Sequence, residues 1–90
     1  SNPLFSLGQT VATPHALDLL AKHHISCFSL LARHQSGDWG NVPAEDALSN
    51  QEAIERGYRI MSVYPLETDK VWIITEADRS VTTVLLPEEY

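Results

Sequence analysis

Two stretches of this sequence hold side chains that could do chemistry, and the first surrounds His34. Asp38 lies four positions after His34, and Trp39 follows directly. An imidazole that is oriented by a carboxylate beside an indole can act as a general acid or base. The same residues also suit a structural helix end, in which His34 caps carbonyls, Asp38 fixes the turn and Trp39 fills the core. Both interpretations follow from the residue types, because spacing alone does not give the distance between the side chains.

The second stretch is the charged connection Glu76–Ser80, which contains Arg79. A planar guanidinium can hold a phosphate or carboxylate through two hydrogen bonds, so Arg79 could clamp an anion. The hydroxyls of Ser80, Thr82 and Thr83 could add donors at the same end of the sheet, although Thr82 and Thr83 also suit an ordinary strand. The alternative is a solvated loop, whose surface ion pairs contribute only about 0–1 kcal/mol each.

Together these groups define one possible enzyme, a metal-independent ribonuclease. His34, Glu76 and Arg79 would supply acid, base and cation around one phosphate, with the RNA 2′-hydroxyl as nucleophile and no cofactor. Six basic residues against twelve acidic ones give a net charge of −6, which opposes the approach of a polyanion. We therefore expect these groups not to converge on one open pocket, and we expect no direct binding of nucleic acid. A binding role remains open for five of the residues: His34, Asp38, Trp39, Arg79 and Ser80.

Neither a metal nor a cofactor is expected. His23 and His24 are adjacent, and neighbouring helical residues point in different directions, so they do not form a chelating pair. The sequence has no phosphate-binding glycine loop and no nucleophile-turn motif. Cys27 is the only cysteine, which excludes an internal disulfide and favours a reducing compartment. With no signal peptide and no membrane-spanning run, the sequence predicts a cytoplasmic protein.

Three helices are expected in the first two thirds of a single domain over residues 1–90. Thr13-Pro14 is typical of a helix start, and Ser26 is a second candidate N-cap. A third helix over Pro43–Arg56 has acidic residues in its first turn and Gly57 at its end.

After Gly57 the pattern changes to the two-residue period of strands. The three runs are rich in Val, Ile, Thr, Tyr and Trp: Arg59–Leu66, Lys70–Thr75 and Val81–Leu86. Their connections are short enough to force antiparallel hairpins. The sequence therefore predicts an α+β fold in which three helices pack on one face of a three-stranded antiparallel meander, with a short N-terminal edge strand around Gln9–Thr13.

Two long segments stand out: Leu30–Gly40 (LLARHQSGDWG) and Val71–Tyr90 (VWIITEADRSVTTVLLPEEY). With Thr13-Pro14, they resemble a family of small uncharacterised bacterial proteins described as plasmid-related. This resemblance implies a bacterial plasmid or mobile-element setting and no particular activity. The order of elements, helices first and an antiparallel sheet last, is also similar to the barnase, colicin and RelE-like ribonucleases, although this chain is more acidic.

The function predicted from the sequence is therefore binding and not catalysis. We expect a small accessory protein that binds a protein partner, such as a basic nucleic-acid-binding protein, through acidic residues: Glu45, Asp46, Glu52, Glu55, Glu88 and Glu89. The alternatives are that these carboxylates form an ordinary solvated face, or that the ribonuclease-like site exists.

Overall fold

The fold consists of a short strand, then three helices and then three strands, over residues 2–90 that the computed structural model describes. Its elements in chain order are β1 (Gln9–Ala12), α1 (Pro14–Lys22), α2 (Cys27–Gln35), α3 (Ala44–Arg56), β2 (Ile60–Leu66), β3 (Asp69–Thr75), β4 (Val81–Leu85) and a 3₁₀ turn (Pro87–Glu89). The predicted α+β class and the three predicted helices are confirmed.

The helix ends form where the sequence signals lie. The Thr13 hydroxyl accepts a hydrogen bond from the Ala16 amide at 3.1 Å, and Pro14 occupies the first turn of α1. Gly57 ends α3 with a φ of +74°, a left-handed conformation that costs glycine little.

The predicted three-stranded antiparallel meander is only part of the sheet, because the observed sheet has four strands and is mixed. Its order is β1-β4-β3-β2, and the meander of β2, β3 and β4 is antiparallel. The N-terminal strand β1 pairs with β4 in parallel, from Gln9 opposite Val81 to Ala12 opposite Val84. A parallel pair needs a long crossover, which is supplied here by the three helices and two intervening strands.

The three helices cover one face of the sheet. Alternate strand residues point towards them and form the main core with leucines and an alanine of α1 and α2: Ala16, Leu20, Leu30, Leu31, Tyr64, Leu66, Val71, Ile73 and Val84. A second, smaller cluster joins α3 to β2 and contains Trp39, Ala53 and Ile60. The two clusters hold the end of α2, which carries His34, against the sheet.

Candidate functional site

His34 lies inside the protein and not at its surface. It occupies the last turn of α2, where its side chain faces the sheet and is fully buried. The ring Nδ1 lies 2.6 Å from Ser62 Oγ on β2, and Nε2 lies 2.9 Å from Thr75 Oγ1 on β3. The rings of Phe5 and Trp39 pack edge-on against the imidazole, with centroids 5.1 and 6.1 Å away. An imidazole enclosed in this way has no route to a substrate.

A chain of hydroxyl groups fixes the proton on His34. The Thr82 hydroxyl donates to the Leu7 carbonyl at 2.7 Å, so its oxygen accepts from the Thr75 hydroxyl, also at 2.7 Å. Thr75 Oγ1 must then accept from His34 Nε2, which leaves Nδ1 to accept from the Ser62 hydroxyl. The network is complete only when His34 is neutral and carries its proton on Nε2. Burial, followed by the positive charge of Arg79, lowers the pKa of His34 to about 4.

Arg79 is bound to backbone carbonyls and is not directed at an open anion site. Its Nη1 donates to the carbonyl of Tyr58 at 2.7 Å and to that of Glu76 at 3.0 Å, and its Nη2 donates to the carbonyl of Ala53 at 2.8 Å. The guanidinium also lies over the Phe5 ring, 5.7 Å from its centroid. Because Ala53 is near the C-terminal end of α3, the cation also interacts favourably with the helix dipole. Arg79 thus joins the last hairpin to α3.

Asp38 pairs with Arg33 and does not orient His34. Arg33 Nε donates to Asp38 Oδ2 at 2.6 Å, and Nη2 donates to Oδ1 at 3.3 Å. The hydrogen bond from Arg33 lowers the pKa of Asp38, and the Gly40 amide, 3.2 Å from Oδ1, adds to this effect. The Tyr64 hydroxyl donates to the Asp38 carbonyl at 2.7 Å. This carboxylate is therefore part of the turn that ends α2.

The remaining predicted site residues lie apart from His34 or serve the core. Trp39 is only 7% exposed, as the structural interpretation of this helix end expects, and its ring stacks on Phe5 with centroids 6.3 Å apart. Glu76 is half-buried at the end of β3. Ser80 is exposed, and its carbonyl accepts from the Gln9 amide at 2.9 Å. His34 and Arg79 share Phe5 as a neighbour, but no open pocket can include the fully buried His34.

The polar partners of His34 were not identified from the sequence. Ser62, Thr75 and Thr82 occupy inward positions on three adjacent strands, where the neighbouring inward residues are apolar. A hydroxyl at such a position requires a buried hydrogen-bond partner. This pattern could have indicated a buried polar residue on a helix, and His34 is that residue.

The exposed surface is strongly acidic. Eleven of the twelve carboxylate residues are exposed, with Glu76 as the half-buried exception. The residues of the predicted acidic surface form two separate groups, one on α3 and one in the 3₁₀ turn: Glu45, Asp46, Glu52 and Glu55, and Glu88 and Glu89. In the part of the chain that the structure describes, no group of three or more His, Cys, Asp or Glu residues is arranged to hold a metal ion.

A shallow groove lies between α1 and the 3₁₀ turn. Leu19 and Leu86 contribute apolar surface to it, and Asp18 and Glu88 are among its polar neighbours. Glu88 and Glu89 of the predicted acidic surface line this groove, whereas none of the residues proposed for a catalytic or anion-binding site does. Over residues 2–90, no helix has both the length and the apolar character needed to cross a membrane.

Comparisons of the chain with protein-family models, with curated proteins and with solved structures found no match. The resemblance to the plasmid-related family and to the barnase, colicin and RelE-like ribonucleases therefore stays a prediction from the sequence.

Proposed function

We propose that this chain is a small non-enzymatic accessory protein that binds a basic protein partner through the acidic surface of α3. The sequence resemblance supports a bacterial setting on a plasmid or mobile element, and a cytoplasmic location is part of the same proposal. The observation that carries the proposal is one exposed leucine on α3, surrounded by carboxylates.

Leu48 is 72% exposed on the solvent-facing side of α3. Glu45 lies three residues before it, and Glu52 and Glu55 lie four and seven residues after it. Residues at these spacings share one face of a helix. The result is an apolar side chain within an acidic rim, which fits a partner that offers an apolar pocket among lysines or arginines.

The net charge of the whole chain also favours a basic partner. A net charge of −6 attracts a basic surface from a distance and accelerates the encounter at low salt. Among the carboxylates of the α3 face, only Glu52 contacts a cation within residues 2–90, with its Oε1 3.7 Å from Arg56 Nε. An exposed pair of this kind is weak, so a stronger cationic partner can replace it.

The ribonuclease alternative gains no support from the arrangement of its residues. His34 would have to leave the core and break bonds to Ser62 and Thr75 before it could reach a phosphate. Arg79 would have to release the carbonyls of Ala53 and Tyr58. Both movements would dismantle the packing of α2 and α3 on the sheet.

Affinity capture with matched charge variants tests the proposal. The wild-type chain is immobilised and exposed to a lysate of its host at low and high salt, beside the double variant Glu52→Lys/Glu55→Lys. A second double variant, Asp18→Lys/Asp69→Lys, makes the same change in charge on other exposed elements. We expect wild type and the control variant to retain a basic protein, and the α3 variant to lose about tenfold or more in affinity.

Two results would contradict this function. One is equal capture by all three chains, or loss only in the control variant, since the α3 face would then not be the interface. The other is cleavage of single-stranded RNA at low salt that disappears in both His34→Ala and Arg79→Ala while both variants remain folded.

A further inference from the structure

The two edges of the sheet differ in how their backbone groups are used, and β1 forms the open edge. The Gln9 amide donates to the Ser80 carbonyl at 2.9 Å, and the Thr13 amide donates to the Val84 carbonyl at 3.0 Å. In a parallel pair with this register, the odd-numbered residues of β1 bond to β4, and Thr10 and Ala12 point the other way. No strand within residues 2–90 pairs with that outer side.

At the opposite edge, the outward backbone groups of β2 are bonded to a side chain and to other backbone groups. Asn50 Nδ2 donates to the Met61 carbonyl at 2.7 Å, and Asn50 Oδ1 accepts from the Met61 amide at 3.1 Å. The Val63 amide donates to the Trp39 carbonyl at 2.9 Å, and the Val63 carbonyl accepts from the Asn41 amide at 2.7 Å.

The next outward position of β2 is Pro65, which has no N–H group. Every outward position of this strand is therefore either bonded or unable to donate. Edge strands that are left unprotected tend to pair with other chains, and proteins guard against this with covers, prolines and charges.

β1 has none of these protections. Its four residues, Gln9 to Ala12, are uncharged and include neither proline nor glycine, and Thr10 is exposed. Val11 is also 39% exposed. Thr10 and Ala12 together offer two N–H donors and two carbonyl acceptors, which is the pattern that an added strand requires.

We propose that β1 receives an extended, basic segment of a partner protein, which adds as a fifth strand to the sheet. This inference rests on the proposed function, because it takes the basic character of the partner from it. Main-chain hydrogen bonds to Thr10 and Ala12 hold the segment, and its side chains alternate between the two sides of the extended sheet.

Charge at both ends of β1 favours a basic segment. At the N-terminal end, Asp78 Oδ1 accepts from the amide of Ser80, the residue whose carbonyl bonds Gln9. At the C-terminal end, Glu89 Oε1 accepts from the Thr13 hydroxyl at 2.7 Å. A carboxylate near each end of β1 therefore attracts lysine or arginine side chains of an added strand through space.

The same features disfavour a second copy of this chain as the occupant. Two copies would each carry a net charge of −6 and would bring the same carboxylates together. A four-residue strand also offers less contact than the roughly 1,200 Å² that stable protein–protein interfaces bury. A peptide segment needs only the main-chain hydrogen bonds to Thr10 and Ala12 and the attraction of the carboxylates near the ends of β1.

Selection from a display library of random dodecapeptides on the intact chain tests this proposal and does not require the partner to be identified first. We expect the enriched peptides to be rich in lysine or arginine and in β-branched residues, and to lack proline in their centre. The affinity of a selected peptide is then measured on wild type, Thr10→Pro and Thr10→Val. Proline at position 10 removes an outward N–H and leaves the bonds to β4 intact, a placement that edge strands tolerate.

We expect Thr10→Pro to weaken peptide binding about tenfold, and Thr10→Val, which keeps the N–H group, to bind within about twofold of wild type. Amide hydrogen exchange on the wild-type complex gives a second readout that does not depend on the variant folding. The amides of Thr10 and Ala12 should become protected on peptide binding, while that of Val11, already bonded to β4, should not change.

Failure to enrich any peptide, or equal binding by Thr10→Pro and wild type, would overturn the proposal. Concentration-dependent dimers with protected Thr10 and Ala12 amides would overturn it too, in favour of a second copy. The double variant Glu52→Lys/Glu55→Lys separates this proposal from the function above. It should retain the selected peptides even though it loses the partner, and loss of the peptides as well would refute a distinct docking edge.

Discussion

Acidification should destabilise this protein through His34. In the folded chain, His34 is neutral and its pKa is lowered to about 4, whereas in the unfolded chain it returns to its ordinary value of 6.5. Below pH 6.5 the unfolded state binds a proton that the folded state does not bind. The free energy of unfolding is therefore unaffected by this group above pH 6.5, falls as the pH decreases towards 4, and changes no further below that.

The magnitude follows from the difference between these two values. A change in pKa from 6.5 to about 4 corresponds to about 3.5 kcal/mol at 1.4 kcal/mol per pKa unit, of which about 3 kcal/mol is lost by pH 4. Small domains have total stabilities of about 5–15 kcal/mol, so this loss is a large share of the total. Its main cause is the burial of His34, followed by the positive charge of Arg79. The Ser62 hydroxyl, which donates to Nδ1, would also have to turn away if that nitrogen gained a proton.

Urea denaturation between pH 7.5 and 4, followed by tryptophan fluorescence, measures the effect. His34→Gln is the matched control, because it has no titrating group at this position and keeps every other ionisable residue. The difference in unfolding free energy between the two chains should shrink by about 3 kcal/mol over this range. If the glutamine variant does not fold, NMR titration of the His34 ring replaces it, and we expect no protonation above about pH 5. A flat difference, or a His34 pKa near 6.5, would refute the buried network.

Three further predictions concern the residues that hold the elements together. Trp39→Ala should cost about 3–5 kcal/mol in thermal unfolding, because it empties the cluster between α3 and β2; an unchanged melting temperature would show that the indole is not a core residue. Asn50→Ala should cost about 2 kcal/mol by leaving both backbone groups of Met61 unpaired, whereas Ser49→Ala, at an exposed neighbour, should have no measurable effect. Arg79→Lys should cost about 1–2 kcal/mol, because an ammonium cannot reproduce the forked hydrogen bonds of the guanidinium; full stability in the lysine variant would mean that charge alone suffices.

The helices and the antiparallel strands were predictable because their signals are local. Thr13-Pro14 and Gly57 mark helix ends through their own backbone preferences, and the runs after Gly57 alternate with a period of two. The pairing of β1 with β4 was not predictable in this way. A four-residue strand has little pattern of its own, and its partner lies about seventy residues later in the chain.

The candidate site shows the same division between local and distant information. The burial of Trp39 follows from a large indole between two glycines in an otherwise polar loop. The environment of His34 depends on Ser62 and Thr75, which are 28 and 41 residues away, so spacing near His34 could suggest only Asp38 as a partner. The role of Arg79 depends on its carbonyl partners on α3 and before β2, which no local motif indicates.

Site-specific photocrosslinking tests the central claim, that the α3 face binds a basic protein, most directly. A photoreactive phenylalanine analogue replaces Leu48 in one chain and Phe28 in another, since Phe28 is 81% exposed on α2 and serves as the control. After irradiation in a lysate of the host, we predict a crosslink to a basic protein from position 48, reduced by high salt and absent from position 28. A crosslink from position 28 alone, or a crosslink from position 48 to RNA and not to protein, would contradict the account.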